Sequence, residues 1–161
     1  MIKASAKTEV KGDKEFDKFV QQMKKIKDGY VSIGVHEGAG HYTEGNHPPE
    51  VYQVALWNEF GTERSPSRSF IRSTMDENAD KINQWREEML ENIAEKGWDI
   101  EKALDAMGFR IAQLIRNKIM SNVPPPNAPS TIAAKEAKGE PTVTLRATEL
   151  LLRSITWEVH T

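Results

Sequence analysis

A chain of 161 residues, 38% hydrophobic and 29% charged, has the size of one domain, and burying ~70% of its unfolded surface suffices for a core. It holds no cysteine, which excludes disulfides, thiolate metal sites and cysteine nucleophiles. A formal net charge of -2 supplies no global basic field for nucleic acid, and no apolar run approaches the roughly 18 residues of a membrane span.

The first stretch, MIKASAKTEVKG, lacks the apolar centre of a secretory signal, so cytoplasmic synthesis is expected. Ile2, Ala4, Ala6, Thr8 and Val10 alternate with polar residues, the period-two pattern of a first strand. Asp13 stands where it can cap a helix, and Phe16, Phe19, Val20, Met23 and Ile26 follow at helical spacing to about Lys27. After Asp28-Gly29, the alternation of Val31, Ile33 and Val35 predicts a strand over Tyr30–His36. The pairing of these strands is left open by the pattern.

Residues 37–49 (EGAGHYTEGNHPP) form a loop by composition, long enough to suggest function or mobility. A helix follows over Glu50–Phe60, opened by Pro49, with Val51, Val54, Ala55 and Trp57 or Leu56 as inward candidates. The stretch ALWNEFGTERSPSRSF (55–70) then reads as a corner: Gly61 stops one helix, and Ser65-Pro66 opens the next. Trp57 and Phe60 are expected beneath that corner.

A long helix over Ser69–Lys96 is predicted from Ile71, Met75, Ile82, Trp85, Met89 and Ile93. Gly97 stops it, and Asp99 caps a second long helix with Ile100, Leu104, Met107, Ile111, Leu114, Ile115 and Ile119 on its seam, closed by Pro124-Pro125-Pro126. The short link makes the pair an antiparallel hairpin or a sharp bend. A short helix at Ile132–Glu136, a turn at Ala137–Pro141, an extended Thr142–Leu145, a helical turn at Thr148–Arg153 and a last strand through Ile155, Trp157 and Val159 complete the chain.

The fold class expected is α+β, a small, mainly antiparallel sheet packed against two long helices, with additional short helices. Residues 1–161 read as a single domain with a loop at 37–49 and a mobile segment at 122–147.

Chemistry-bearing patterns are sparse. His36, His41 and His47 flank or occupy the loop at loose spacing, without HExxH, so a metal site or metal-dependent enzyme on them stands only as an alternative to exposed histidines. Ser65, Ser67 and Ser69 have no nucleophile elbow, and Gly34–Gly40 lacks a phosphate-loop lysine. Glu59 and Arg68 flank the corner either as a surface pair worth ~0–1 kcal/mol or as contacts to a neighbouring subunit. Residues 70–97 carry seven acids against four bases, read as an ordinary solvated face or, in an assembly, as a border of a channel.

The run NEFGT followed by PSRSF resembles the signature of phage tail-completion, or head–tail joining, proteins of lambda-like long-tailed phages. PPNAPSTIAAK (125–135) and LRATELLLRSITWEV (145–159) resemble that family's later segments in the same order. Departures are Ala147-Thr148-Glu149, where Asp-Thr-Gly is usual, and Ser69, where a second proline is common.

The resemblance implies a non-enzymatic virion protein of the neck or tail end, without cofactor or metal, made in the host cytoplasm. It would form a homo-oligomeric ring, a hexamer, between the tail terminator or tail tube and the head-side connector, with DNA passing through unbound and no membrane involved. A tail terminator capping tube growth is the alternative within the same setting. The motif residues Asn58, Phe60, Gly61, Pro66, Phe70, Ser154 and Ile155 carry structural roles by this resemblance. Glu59, Arg68, His41 and His47 are candidate subunit or partner contacts.

Overall fold

A computed structural model describes residues 14–43, 46–146 and 149–161, so the expected first strand and the Asp13 cap lie outside the described residues. The fold is α+β. Helix α1 spans Lys14–Asp28, strand β1 Tyr30–Gly34, helix α2 Val51–Phe60 and the short α3 Arg72–Glu77. Helix α4 is Ala79–Lys96, α5 Ile100–Met120, α6 Pro129–Ala137 and α7 Leu150–Arg153, before strand β2 at Thr156–His160.

Strands β1 and β2 pair antiparallel, Val31 opposite Val159 and Ile33 opposite Trp157, joining two segments far apart in the chain into one ribbon. Because strand side chains alternate between faces, these four apolar residues share a face and join the core clusters around α5. The approach is tight at Gly108 on α5, where an added Cβ would stand 2.4 Å from Trp157 Cδ1 and 2.9 Å from Val31 Cγ2. Trp157 Nε1 is fixed there by donating to Asp105 Oδ1 at 2.8 Å. Among the described residues the sheet has two strands.

Helices α4 and α5 run antiparallel, as their cross-links show: Arg110 pairs with Glu88 at 2.7 Å and Lys118 with Glu77, just before α4, at 2.6 Å. Gly97 ends α4, and the Trp98 amide reaches back to the Asn92 carbonyl. The apolar seam of α5 is buried at Ile100, Leu104, Ile111, Ile115 and Ile119. Ile111, Ile115 and Ile119 pack in one cluster with Val51, Phe70, Leu151 and Ile155.

Several expectations are corrected. The single helix predicted over Ser69–Lys96 is broken at Asn78, whose side chain donates to the Thr74 carbonyl at 2.8 Å, a local bond that competes with helix continuation. Ser65-Pro66 opens no helix, because α3 begins only at Arg72. Helix α5 ends at Met120, before the proline run, with Asn122 in the left-handed region at φ 62. Thr142–Leu145 is not a strand; Thr144 is buried and accepted by Asn122 Oδ1 and the Val123 carbonyl, which folds the segment back onto the end of α5.

Candidate assembly interface

The corner between α2 and α3 is built on a buried carboxylate. Glu59 lies on the face of α2 that carries Val51 and Ala55, and it is only 4% exposed. Its oxygens accept from Ser69 Oγ at 2.7 Å, from the amides of Phe70, Ile71 and Arg72 at 2.8, 2.9 and 3.0 Å, and from Arg72 Nε at 3.0 Å. The Phe70 and Ile71 amides lie just before α3 and the Arg72 amide opens its first turn, so Glu59 ties down the entry to a helix that starts thirteen residues downstream. Burial pushes the carboxyl upward, but the bonds from Ile71, Arg72 and Ser69 outweigh it and hold the group below the ordinary value of 4.5.

Around it, the motif residues have separate jobs. The Asn58 carbonyl accepts the Arg68 amide at 2.6 Å, and its side chain donates to Val54. Gly61 sits at φ 80 with its would-be Cβ 2.8 Å from Ser67 N, a place that admits no side chain. Thr62 Oγ1 accepts the amides of Arg64 and Ser65, closing the tip, and Pro66 is exposed beside it. Phe70 is fully buried, as are Ile155 and, nearly so, Ser154, whose hydroxyl donates to the Leu150 carbonyl.

The expected burial of Trp57 and Phe60 is overturned. Leu56, Trp57 and Phe60 are 51%, 47% and 61% exposed and form an outward apolar ridge on α2. The Arg72 guanidinium covers one face of Phe60, 4.6 Å from its centroid. The Glu59–Arg68 surface pair is also overturned: Glu59 is buried and pairs with Arg72, whereas Arg68 donates to the carbonyls of Pro125 and Pro126 at 2.8 and 3.3 Å.

The loop is held at its base. Tyr42 N–H donates to the Pro49 carbonyl and Val51 N–H to the Gly40 carbonyl, and His41 bridges Glu50 through its backbone. His41 and His47 are exposed. His36 lies elsewhere, its Nδ1 2.9 Å from Thr156 Oγ1 and its Nε2 3.0 Å from Ser32 Oγ. Ser32 Oγ also lies 3.1 Å from His160 Nε2, and Tyr30 stacks on that ring at 4.4 Å. This polar network joins β1 to β2 and takes His36 away from the other two histidines. Among the described residues no group of three His, Cys, Asp or Glu gathers to hold a metal, which leaves the three-histidine alternative without a site.

Sequence reasoning passed over Arg72 and Asn122. Arg72 stands two residues after PSRSF, and a charge close behind a motif of turn residues was the available signal. Asn122, just before three prolines, had the left-handed tolerance of asparagine as its signal. No protein-family profile, curated protein or solved structure matches this chain.

Proposed function

We propose that this chain is a non-enzymatic virion protein that completes the tail end or neck of a long-tailed phage and joins tail to head, as a ring around the DNA channel. The observation that carries the reading is the outward ridge of Leu56, Trp57 and Phe60 on a corner held rigid by Glu59. Large apolar side chains clustered on an exposed helix face mark an interaction surface. A second copy of the chain is its occupant in this reading, and a ring needs such a patch on each subunit.

Support also comes from the meeting of the three sequence segments that resemble tail-completion proteins. Arg68 of the corner bonds to Pro125 and Pro126 of the second segment, and Phe70 packs in one cluster with Leu151 and Ile155 of the third. Residues spread over much of the chain thus build one module. Hexameric order, the contact with the tail terminator or tail tube on one side and the head-side connector on the other, and unbound passage of DNA belong to the same proposal. No helix among the described residues is long and apolar enough to cross a membrane.

Electron microscopy of particles assembled without this protein tests the reading. Tails of normal length that fail to join heads are expected. Overlong tails would assign the chain to tail termination, and normal joined particles would remove it from the neck.

A further inference from the structure

A cleft of about 340 Å³ opens beside the corner, lined by three cations, Arg68, Lys135 and Arg146, together with Asn58 and Asn127. Val54, Leu145 and Leu151 add apolar lining, and among the described residues no acidic side chain lines it. Two of the three cations bond to carbonyls and not to carboxylates. Lys135 is buried, and its ammonium donates to the carbonyls of Pro141 and Val143 at 3.1 and 2.8 Å, while Arg68 also spends its bonds on carbonyls. Carbonyls satisfy donors but do not neutralise charge. Burial holds Lys135 below the ordinary lysine value, Glu140 opposes that, and the nearby Arg68 charge adds to the depression. Arg146 pairs with Glu149, yet its Nε is a buried donor with no acceptor among the described residues. Such a donor carries the desolvation cost of an unmade bond.

The complementary surface lies on α4. Asp80, Glu87, Glu91 and Glu95 recur at spacings that a 3.6-residue turn places on one stripe, and all four are exposed. The stripe runs about 22 Å at 1.5 Å per residue. Lys81, Arg86 and Lys96 fall off it. The cleft is formed by α2, α6, α7 and the loops between them, so the two patches occupy different elements of one subunit.

We propose that the cleft of one subunit receives the Glu87–Glu91 edge of α4 from a second copy, making an ion-paired, head-to-tail contact. The proposal rests on the ring reading above and adds the two surfaces that meet. Two unlike patches on each subunit are what a heterologous contact around a closing rotation requires. Carboxylates one helical turn apart offer paired acceptors to the Arg68 guanidinium and the Lys135 ammonium, which now donate to carbonyls. Nucleic acid fits less well, since a duplex demands an extended basic track and this cleft is a local one on a chain of net charge -2.

The test is the oligomeric state of the full chain by light scattering across a concentration series, with circular dichroism to check folding. Glu87→Lys with Glu91→Lys changes only exposed positions and is expected to weaken self-association by about tenfold or more. Arg68→Glu with Arg146→Glu is expected to do the same, and mixing the two folded variants should restore assembly. Should the cleft variant fail to fold, the stripe variant alone decides the matter. Undiminished assembly of the stripe variant overturns the contact and leaves the ring reading standing, with the stripe free to border the channel. A wild type that stays monomeric overturns both. Unchanged assembly together with Arg68-dependent retention of single-stranded DNA overturns the contact in favour of nucleic acid.

Discussion

Glu59 Oε1 and Arg72 Nε meet at 3.0 Å, the Glu59 side chain buried and the Arg72 side chain more than half exposed. The same guanidinium donates to the Glu59 carbonyl and lies over the Phe60 ring, so Arg72 binds three features of the corner at once. Breaking a buried charge network by removing one partner is far costlier than losing a surface pair.

Glu59→Gln should therefore destabilise the chain by about 2–4 kcal/mol, because the amide keeps the shape but turns an –NH₂ donor toward the backbone donors of residues 70–72. Urea denaturation measures it. A change below about 0.5 kcal/mol would mean that the corner is held by its turn and not by the carboxylate.

The same group sets an acid limit. Its folded-state value lies below 4.5, so its stabilisation is present above the unfolded value and is lost as pH falls through the folded one. Stability measured from pH 7 down to pH 2 should fall more steeply in the wild type than in Glu59→Gln, with the difference between them shrinking below about pH 4.5. Other carboxylates held low, Glu88 and Glu149, are common to both proteins and cancel. Parallel curves would remove Glu59 from the acid response.

Phe60→Ala should cost little stability, about 0.5–1 kcal/mol for the contact with Arg72, because the ring is 61% exposed. Assembly is expected to suffer instead. Thermal melts and light scattering on one preparation separate the two effects. A large drop in melting temperature with intact assembly would return Phe60 to the core.

These outcomes track what was legible in the residues. The alternation of Val31, Ile33, Trp157 and Val159, the seam of α5 and the stop at Gly97 are periodic or local signals, and all three read through. Helix α2 is different: Val51, Val54, Ala55, Leu56, Trp57 and Phe60 surround most of its circumference, so spacing selects no inward face. The face that is buried carries Glu59, whose place depends on backbone amides converging from another helix. Asn78 lies within the span of a long apolar seam, and nothing periodic reveals a side chain that bonds its own backbone. Arg68 found its acceptors some sixty residues downstream, at carbonyls that have no sequence signature.

Glu149 offers a test of the third segment. It sits at φ 59, in the left-handed region, at the position where the resembled family usually carries glycine. It also pairs with Arg146 and lies 4.0 Å from Arg153. Glu149→Gly relieves the backbone and loses the charge. In about 1 M salt, where the screening length is roughly 3 Å, the backbone gain should dominate and the melting temperature should rise. At low salt the gain should shrink or reverse. A loss that is independent of salt would show that Glu149 packs and does not merely pair.

Gly108→Ala weighs helix propensity against close packing. Alanine in a helix interior is favoured over glycine by about 1 kcal/mol, and a sequence-based stabilisation scheme would choose it. Here the added methyl would stand 2.4 and 2.6 Å from Trp157 Cδ1 and Cγ, atoms of a rigid ring that Asp105 and the edge of Phe109 hold in place. Val31, 2.9 Å away, blocks the other direction. Overpacking of this kind costs about 1–3 kcal/mol or more, so the net effect should be destabilising despite the propensity gain. The ribbon must lift from α5 to admit the methyl, which should weaken near-ultraviolet dichroism from Trp157 and lower the melting temperature together. A raised melting temperature would mean that the β1–β2 ribbon moves off α5 at no cost.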